Sequence, residues 1–174
     1  MTIHIHKNDI PATLKFGSIV AVDCEMMGLD FNRDRLCLVQ LSNGDGDAHL
    51  VQIGRDQDSA PNLQALMEDP DITKIFHYGR LDMCYLWAHL EIGVINVYDT
   101  KIASRLCRTY TDKHGLKYLV KEILGVDLQK EEQSSDWGAE DLTDKQKEYA
   151  ASDVLYLHKI KAALDVMLER EGRD

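Results

Sequence analysis

Proline is scarce in this chain, at 3 of 174 residues, and no long apolar run interrupts its mixed patterning. Few prolines leave helices and strands free to run their length. Without a stretch approaching roughly 18 apolar residues, a membrane-spanning helix is excluded. Met1 to Lys7 has neither the apolar run nor the small-residue cleavage site of a signal peptide, so a cytosolic protein is expected. Cysteine is also sparse. Cys24, Cys37, Cys84 and Cys107 lie singly in apolar surroundings with no CxxC spacing, which argues for buried reduced thiols rather than a disulfide or zinc site. Positive charge is in deficit, with 20 Lys and Arg against 30 Asp and Glu, for a formal net charge of -10. That balance argues against tight, sequence-independent binding of long duplexes, which depends on neutralising many phosphates. Small anionic substrates stay compatible with it.

What is present is enough for one well-buried core: 44% of the residues are hydrophobic, and the length fits a single domain spanning 1–174. Ile19 to Cys24, Leu36 to Ser42 and Ala48 to Ile53 read as three strands of an antiparallel meander, separated by turn-rich Phe31 to Arg35 and Asn43 to Asp47. Thr73 to His77 and Val94 to Tyr98 supply two more strands. Helices are expected over Asn62 to Glu68, Gly79 to Glu91, Thr100 to Cys107, Gly115 to Leu124, and Thr143 to about Arg170. Thr143 with Gln146 three residues on forms a capping box at the start of the last one. Asp99 reads as the N-cap of the Thr100 helix. Gln129 to Glu140, with Trp137 as its one large apolar residue, reads as a surface loop. The sum is an α/β layer fold with a five-stranded mixed sheet flanked by helices.

The chemistry is carried by acids. Asp23 and Glu25, two apart on a strand, share a face; Tyr149 and Asp153, four apart on a helix, share another; Asp82 lies on a third element. Three sequence-distant elements can thus aim carboxylates at one spot. Carboxylate oxygens suit hard ions such as Mg²⁺ and Mn²⁺, and a pair of such ions about 3.5 to 4 Å apart stabilises the entering and leaving oxygens of phosphodiester hydrolysis. Two divalent cations would shift the formal -10 to about -6 and invert the local field met by a phosphate. Tyr149, at an ordinary phenol pKa near 10, would orient a water rather than deprotonate it.

Val22-Asp23-Cys24-Glu25-Met26-Met27-Gly28-Leu29, Phe76-His77-Tyr78-Gly79-Arg80-Leu81-Asp82 and Tyr149 to Asp153 resemble, in order, the three motifs of the DEDD superfamily of 3′-5′ exonucleases, which includes ribonuclease D and polymerase proofreading domains. Glu148 stands where the histidine subgroup needs its His, so the chain resembles the tyrosine subgroup. Met26 replaces the usual threonine, and His77 stands where many members carry asparagine; neither change removes a metal ligand. The resemblance implies a ribonuclease H-like fold, a pair of Mg²⁺ or Mn²⁺ ions on Asp23, Glu25, Asp82 and Asp153, and Tyr149 in catalysis. Asp34 to Leu41, Asp71 to His77, Thr109 to Lys117 and Ser134 to Trp137 are similar to the alphaproteobacterial nanoRNase C and oligoribonuclease-like subgroup. That similarity implies a substrate of short single-stranded RNA or dinucleotides, nucleoside 5′-monophosphates as products, and a homo-oligomer, an octamer in that subgroup.

Around this core stand candidate substrate contacts. Met27, Gly28 and Leu29 follow the first motif, where the family places an apolar wedge against the terminal base, and a core role competes with that one. His77 is either a structural histidine or a contact to phosphate or sugar; Tyr78 either stacks a base or packs. Arg105 and Arg108, in a basic cluster with Lys101, Lys113, His114, Lys117 and Lys121, are either phosphate or subunit contacts or a solvated face. Ser135 and Trp137 either close over substrate or pack at a subunit contact. The expected activity is metal-dependent 3′-5′ hydrolysis of short oligoribonucleotides. The alternatives are ribonuclease D-like trimming of RNA 3′ ends, exonuclease action on DNA 3′ ends, and an inactive nucleic-acid-binding module.

Overall fold

Short apolar runs in the first half and helical-period patterning in the second produce a mixed sheet covered by helices on both faces. The computed structural model describes residues 1–128 and 134–174. Its strands are β1 (Ile3–Lys7), β2 (Ile19–Met26), β3 (Leu36–Ser42), β4 (Ala48–Gln52), β5 (Thr73–Phe76) and β6 (Val97–Asp99). They lie in the order β1-β4-β3-β2-β5-β6. β2, β3 and β4 form the expected antiparallel meander, while β5 pairs parallel with β2 and β6 parallel with β5.

Among the described residues the sheet therefore has six strands, not five. The additional strand, β1, pairs parallel with β4 in the register Ile3↔Ala48 to Lys7↔Gln52. Only two apolar residues, Ile3 and Ile5, mark it in the sequence. His4 and His6 occupy the alternate positions, with the His4 ring stacked on His49 at 4.6 Å. Its pairing is distant in the chain, so no local turn announces it. β6 also begins later than expected, at Val97.

The helices are α1 (Pro61–Met67), α2 (Arg80–Leu90), α3 (Thr100–Cys107), α4 (Leu116–Leu119), α5 (Asp144–Leu155) and α6 (Leu157–Glu171), with a π-helical turn at Val120–Leu124 following α4. The single helix expected from Thr143 is thus two. The Ser152 hydroxyl donates to the Tyr149 carbonyl at 2.6 Å, a backward bond that bends helices, and the ladder breaks at Tyr156. The break lets α5 pack on β2, β3 and β4 while α6 packs on β2, β5 and α3. The capping box forms as expected: the Gln146 amide donates to Thr143 Oγ1 at 3.2 Å, and the Thr143 amide to Gln146 Oε1 at 2.9 Å.

Two apolar layers sandwich the sheet. Val20, Val22, Val39, Leu41 and Phe76 face α1 and α2, where Leu63, Tyr85 and Leu86 cover them. On the other face Ala21 and Ile75 meet Ala151, Val154 and Leu157. Asp23, Glu25 and Gln40 share this second face by strand parity. Among the described residues no helix is long and apolar enough to cross a membrane. Of the expected Gln129 to Glu140 loop, 129–133 lie outside the described residues; 134–140 are turns and bends. Ile75 is fully buried at the centre of the α5/α6 face. Ile75→Ala is expected to cost about 2–5 kcal/mol of stability, measured by urea unfolding.

Candidate active site

The carboxyl ends of β2 and β5 meet at one side of the sheet, and the side chains that follow from them converge there, as ligand sites do in open α/β sheets. Asp23 and Glu25 project from β2 toward α5, which carries Tyr149 and Asp153. Ligand oxygens of Asp23, Glu25 and Asp153 lie within 4.8 Å of one another. Asp82 arrives from the opposite layer in the first turn of α2, where its Oδ1 accepts from the Cys24 amide at 3.0 Å. Tyr149 stands one turn before Asp153. These five sequence-predicted residues line a single cleft of about 860 Å³.

Electrostatics inside this group is adverse. Burial holds Asp23 well above the usual carboxylate range, and Asp82, Asp153 and Glu25 push it further. Glu25 rises to about 9, through burial and then the charges of Asp153 and Asp82. Asp153 rises to about 7 through burial and Asp82. Asp82 rises to about 6 by burial, opposed by the Cys24 amide. Tyr149 is also raised, by burial first and then by Asp153, Glu25 and Asp23, so its hydroxyl stays protonated at neutral pH. An all-oxygen donor set whose negative charges repel one another fits a hard divalent cation, which reverses the sign of the field they share.

The rim is built by backbone constraints. Gly28 follows the acids, and a Cβ there would fall 2.0 Å from Asp34 Oδ2, so a larger residue would force the Asp34 carboxylate aside. Its carbonyl accepts from the Tyr85 hydroxyl at 2.9 Å, which pins the turn presenting Met27 and Leu29. Both side chains are exposed, Leu29 to 78%, and both line the cleft, so neither is a core residue. Tyr78 lines it too, in a left-handed conformation with φ of 64° that is costly for an aromatic residue. Asp99 fixes it there: besides capping α3 through the Lys101 and Ile102 amides, it accepts from the amides of Tyr78 at 3.1 Å and Gly79 at 2.9 Å. Lys101 Nζ stands 3.8 Å from the Tyr78 ring centroid.

His77 lines the cleft as a neutral group, its pKa lowered to about 4 by burial. The Thr100 hydroxyl donates to the Phe76 carbonyl at 3.1 Å and so accepts from His77 Nδ1 at 2.9 Å. Nδ1 therefore carries the proton, and Nε2 is an acceptor.

Other expected contacts are not brought together. Arg108 is fully buried; it donates to Ser104 Oγ and the Lys113 carbonyl and pairs with Glu122. Burial with internal partners removes it from any phosphate contact, and it does not share the exposed face of Arg105. Arg105 is exposed but lies outside the cleft. Trp137 is 3% exposed and packs with Leu38, Leu50, Leu142 and Ala150, its ring 5.9 Å from that of Tyr149. It backs the tyrosine rather than closing over the cleft; Ser135 does line the cleft. Among the described residues the cations that line the cleft are Arg80, Lys101 and Lys117, beside Tyr118. The sequence places Lys101 and Lys117 in a basic cluster without separating them from Arg105. The fully buried Gln40, whose Nε2 donates to Asp23 Oδ2 at 3.2 Å and Glu25 Oε1 at 3.4 Å, is also new; one polar residue inside an apolar strand was its signal.

A family model described as 3′-5′ exonuclease matches residues 5–169. The chain belongs to the 3′-5′ exonuclease family. Ribonuclease D of Gluconacetobacter diazotrophicus is 34% identical over 157 residues, covering 88% of this chain and 39% of its own length. Ribonuclease D of Escherichia coli is 36% identical over 156 residues, 88% of this chain and 40% of its own. The chain thus spans about two-fifths of the length of these curated relatives. Among solved structures, NrnC of Brucella melitensis bound to pGG superposes with a TM-score of 0.95 at 53% identity, over 99% of this chain and 84% of that one. The same protein has been solved with bound Mg²⁺. Escherichia coli ribonuclease D, an exoribonuclease involved in structured RNA processing, gives 0.78 at 33% identity over 89% of this chain and 40% of that one.

Within this 3′-5′ exonuclease fold the cluster sets a pH dependence. Acids whose folded pKa is raised bind more protons folded than unfolded, so they stabilise the metal-free protein less as pH rises from about 4. The decline runs through about 6 for Asp82, about 7 for Asp153 and about 9 for Glu25. Melting temperatures between pH 5 and 9 are expected to fall for the chelator-treated protein, and to fall much less with Mg²⁺ present. A flat metal-free profile would contradict these shifts.

Proposed function

We propose that this chain is a metal-dependent 3′-5′ exoribonuclease of very short RNA, including dinucleotides, releasing nucleoside 5′-monophosphates. The observation that carries the reading is the convergence of Asp23, Glu25 and Asp153 within 4.8 Å, with Asp82 and Tyr149 beside them in one cleft. Asp23, Glu25, Asp82 and Asp153 would hold two Mg²⁺ or Mn²⁺ ions. Bound there, such ions lower the pKa of water and neutralise charge on the reacting phosphodiester. Tyr149, kept protonated, donates its hydroxyl to orient the attacking water, and Trp137 behind it limits its swing.

Each rim residue has a matching part. Met27 and Leu29 offer exposed apolar edges for a terminal base, and Tyr78 a ring for stacking. Lys101, Lys117 and Arg80 supply cations for phosphate. His77, neutral and with Nε2 as acceptor, suits a sugar hydroxyl rather than a phosphate. The cleft volume falls in the range that encloses small ligands, and the net charge of -10 argues against tight binding of long strands. A neighbour at 53% identity bound to pGG supports the same size class.

The deciding experiment is hydrolysis of a 5′-labelled RNA ladder of two to about twenty nucleotides with Mn²⁺ or chelator, beside matched DNA. Metal-dependent activity greatest at two to five nucleotides is expected. Preference for long or structured RNA would move the chain to the ribonuclease D role, preference for DNA to a DNA exonuclease, and no cleavage to a binding module. Tyr149→Phe is expected to lower kcat by about 10²–10⁴-fold with Mn²⁺ binding retained in calorimetry. Loss of metal binding would refute its assigned role. Lys101→Ala is expected to raise KM for a dinucleotide about tenfold, and Arg105→Ala to leave it unchanged; equal effects would refute the phosphate assignment.

A further inference from the structure

Every residue of β3 is buried, and within its run Leu-Cys-Leu-Val-Gln-Leu-Ser the one long polar side chain is Gln40. It sits directly across the antiparallel ladder from Asp23, on the face that carries both β2 acids. Its amide nitrogen donates to Asp23 Oδ2 at 3.2 Å and to Glu25 Oε1 at 3.4 Å, one hydrogen for each carboxylate. Its other polar atom, Oε1, is buried without a hydrogen-bond partner among the described residues. A buried carbonyl left unpaired costs stability. An apolar residue of the same size would fill this strand position without that cost, so the strand by itself does not account for a glutamine here.

We propose that Gln40 is a positioning residue for cation binding, holding Asp23 and Glu25 in the orientation that presents their free oxygens to a divalent ion. This rests on the metal-dependent reading above. The chemistry favours an amide over the other donors. An amide takes one lone pair from each carboxylate and adds no positive charge, so the negative charge that attracts the cation is kept. A lysine or arginine in its place would neutralise the acids and compete with the ion. Two acceptors facing one side chain also fix which end of the amide points at them. Because β3 is central and fully buried, the donor itself has little freedom, and it passes that rigidity to two acids whose mutual repulsion would otherwise drive them apart.

The test uses the full chain as Gln40→Met, nearly isosteric and without a donor, and Gln40→Leu as a second apolar replacement. Mn²⁺ binding is measured by calorimetry without RNA, and thermal unfolding is measured on the chelator-treated proteins. Both variants are expected to melt within about 4 °C of the parent and to bind Mn²⁺ about 10–100-fold more weakly. Folded variants with parental Mn²⁺ affinity would overturn the proposal while leaving the metal reading intact. Failure of both variants to fold would make Gln40 a stability residue and overturn it as well. Absence of Mn²⁺ binding by the parent protein would instead remove the metal-dependent reading on which it rests.

Discussion

Repulsion among closely placed, largely desolvated carboxylates is the constraint around which this site is arranged. Asp23, Glu25, Asp82 and Asp153 come from a strand and two helices, and left to themselves they would separate or take up protons. Each supporting element is accordingly held from elsewhere. β2 is paired on both sides, antiparallel with β3 and parallel with β5. α2 is tied to β2 by the bond from the Cys24 amide to Asp82. α5 is anchored at its start by the Thr143 and Gln146 capping box, and Gln146 also reaches back to the Asp136 carbonyl at 3.1 Å. The fold itself thus gathers the side chains that would hold a cation, at the expense of ionisation that their mutual repulsion opposes.

The rim uses a different means, side chains that fix backbone. Tyr85 holds the Gly28 carbonyl, and Asp99 gathers four amides from two corners of the sheet. Such devices let Met27, Leu29 and Tyr78 stay exposed and still be placed with accuracy. An unfavourable backbone angle at Tyr78 is tolerated because the Asp99 bonds over-determine the corner. The precision of the cleft therefore comes from residues that lie behind it.

Charge by itself was a poor guide to which basic residues face the cleft. Lys101, Arg105 and Arg108 belong to one stretch of sequence, yet Lys101 lines the cleft, Arg105 lies outside it and Arg108 is fully buried. The difference is set by rotation around α3 and by the turn after it. Arg108 caps that helix and is drawn inward by Ser104, Lys113 and Glu122, which makes it an organiser of the loop leading to Gly115 and Lys117.

Much of this was open to reading from sequence because periodicity is local. Short apolar runs between turn-rich segments mark β2, β3, β4 and β5, helical spacing places Tyr149 and Asp153 on one face, and Thr143 with Gln146 announces the start of α5. That the four acids and the tyrosine could meet, and that their oxygens suit a hard cation, follows from residue type and spacing. β1 escaped because its partner lies 45 residues away in register Ile3↔Ala48, and its two isoleucines carry little signal alone. The break at Tyr156 depends on a side-chain bond from Ser152, and the roles of Gln40, Arg108 and Trp137 depend on what faces them across the fold. Sequence by itself determined which residues can bear the chemistry, since that is a property of side chains and short-range spacing. Tertiary structure alone decided which of them meet, because burial and hydrogen-bond partners are set by contacts between segments far apart in the chain.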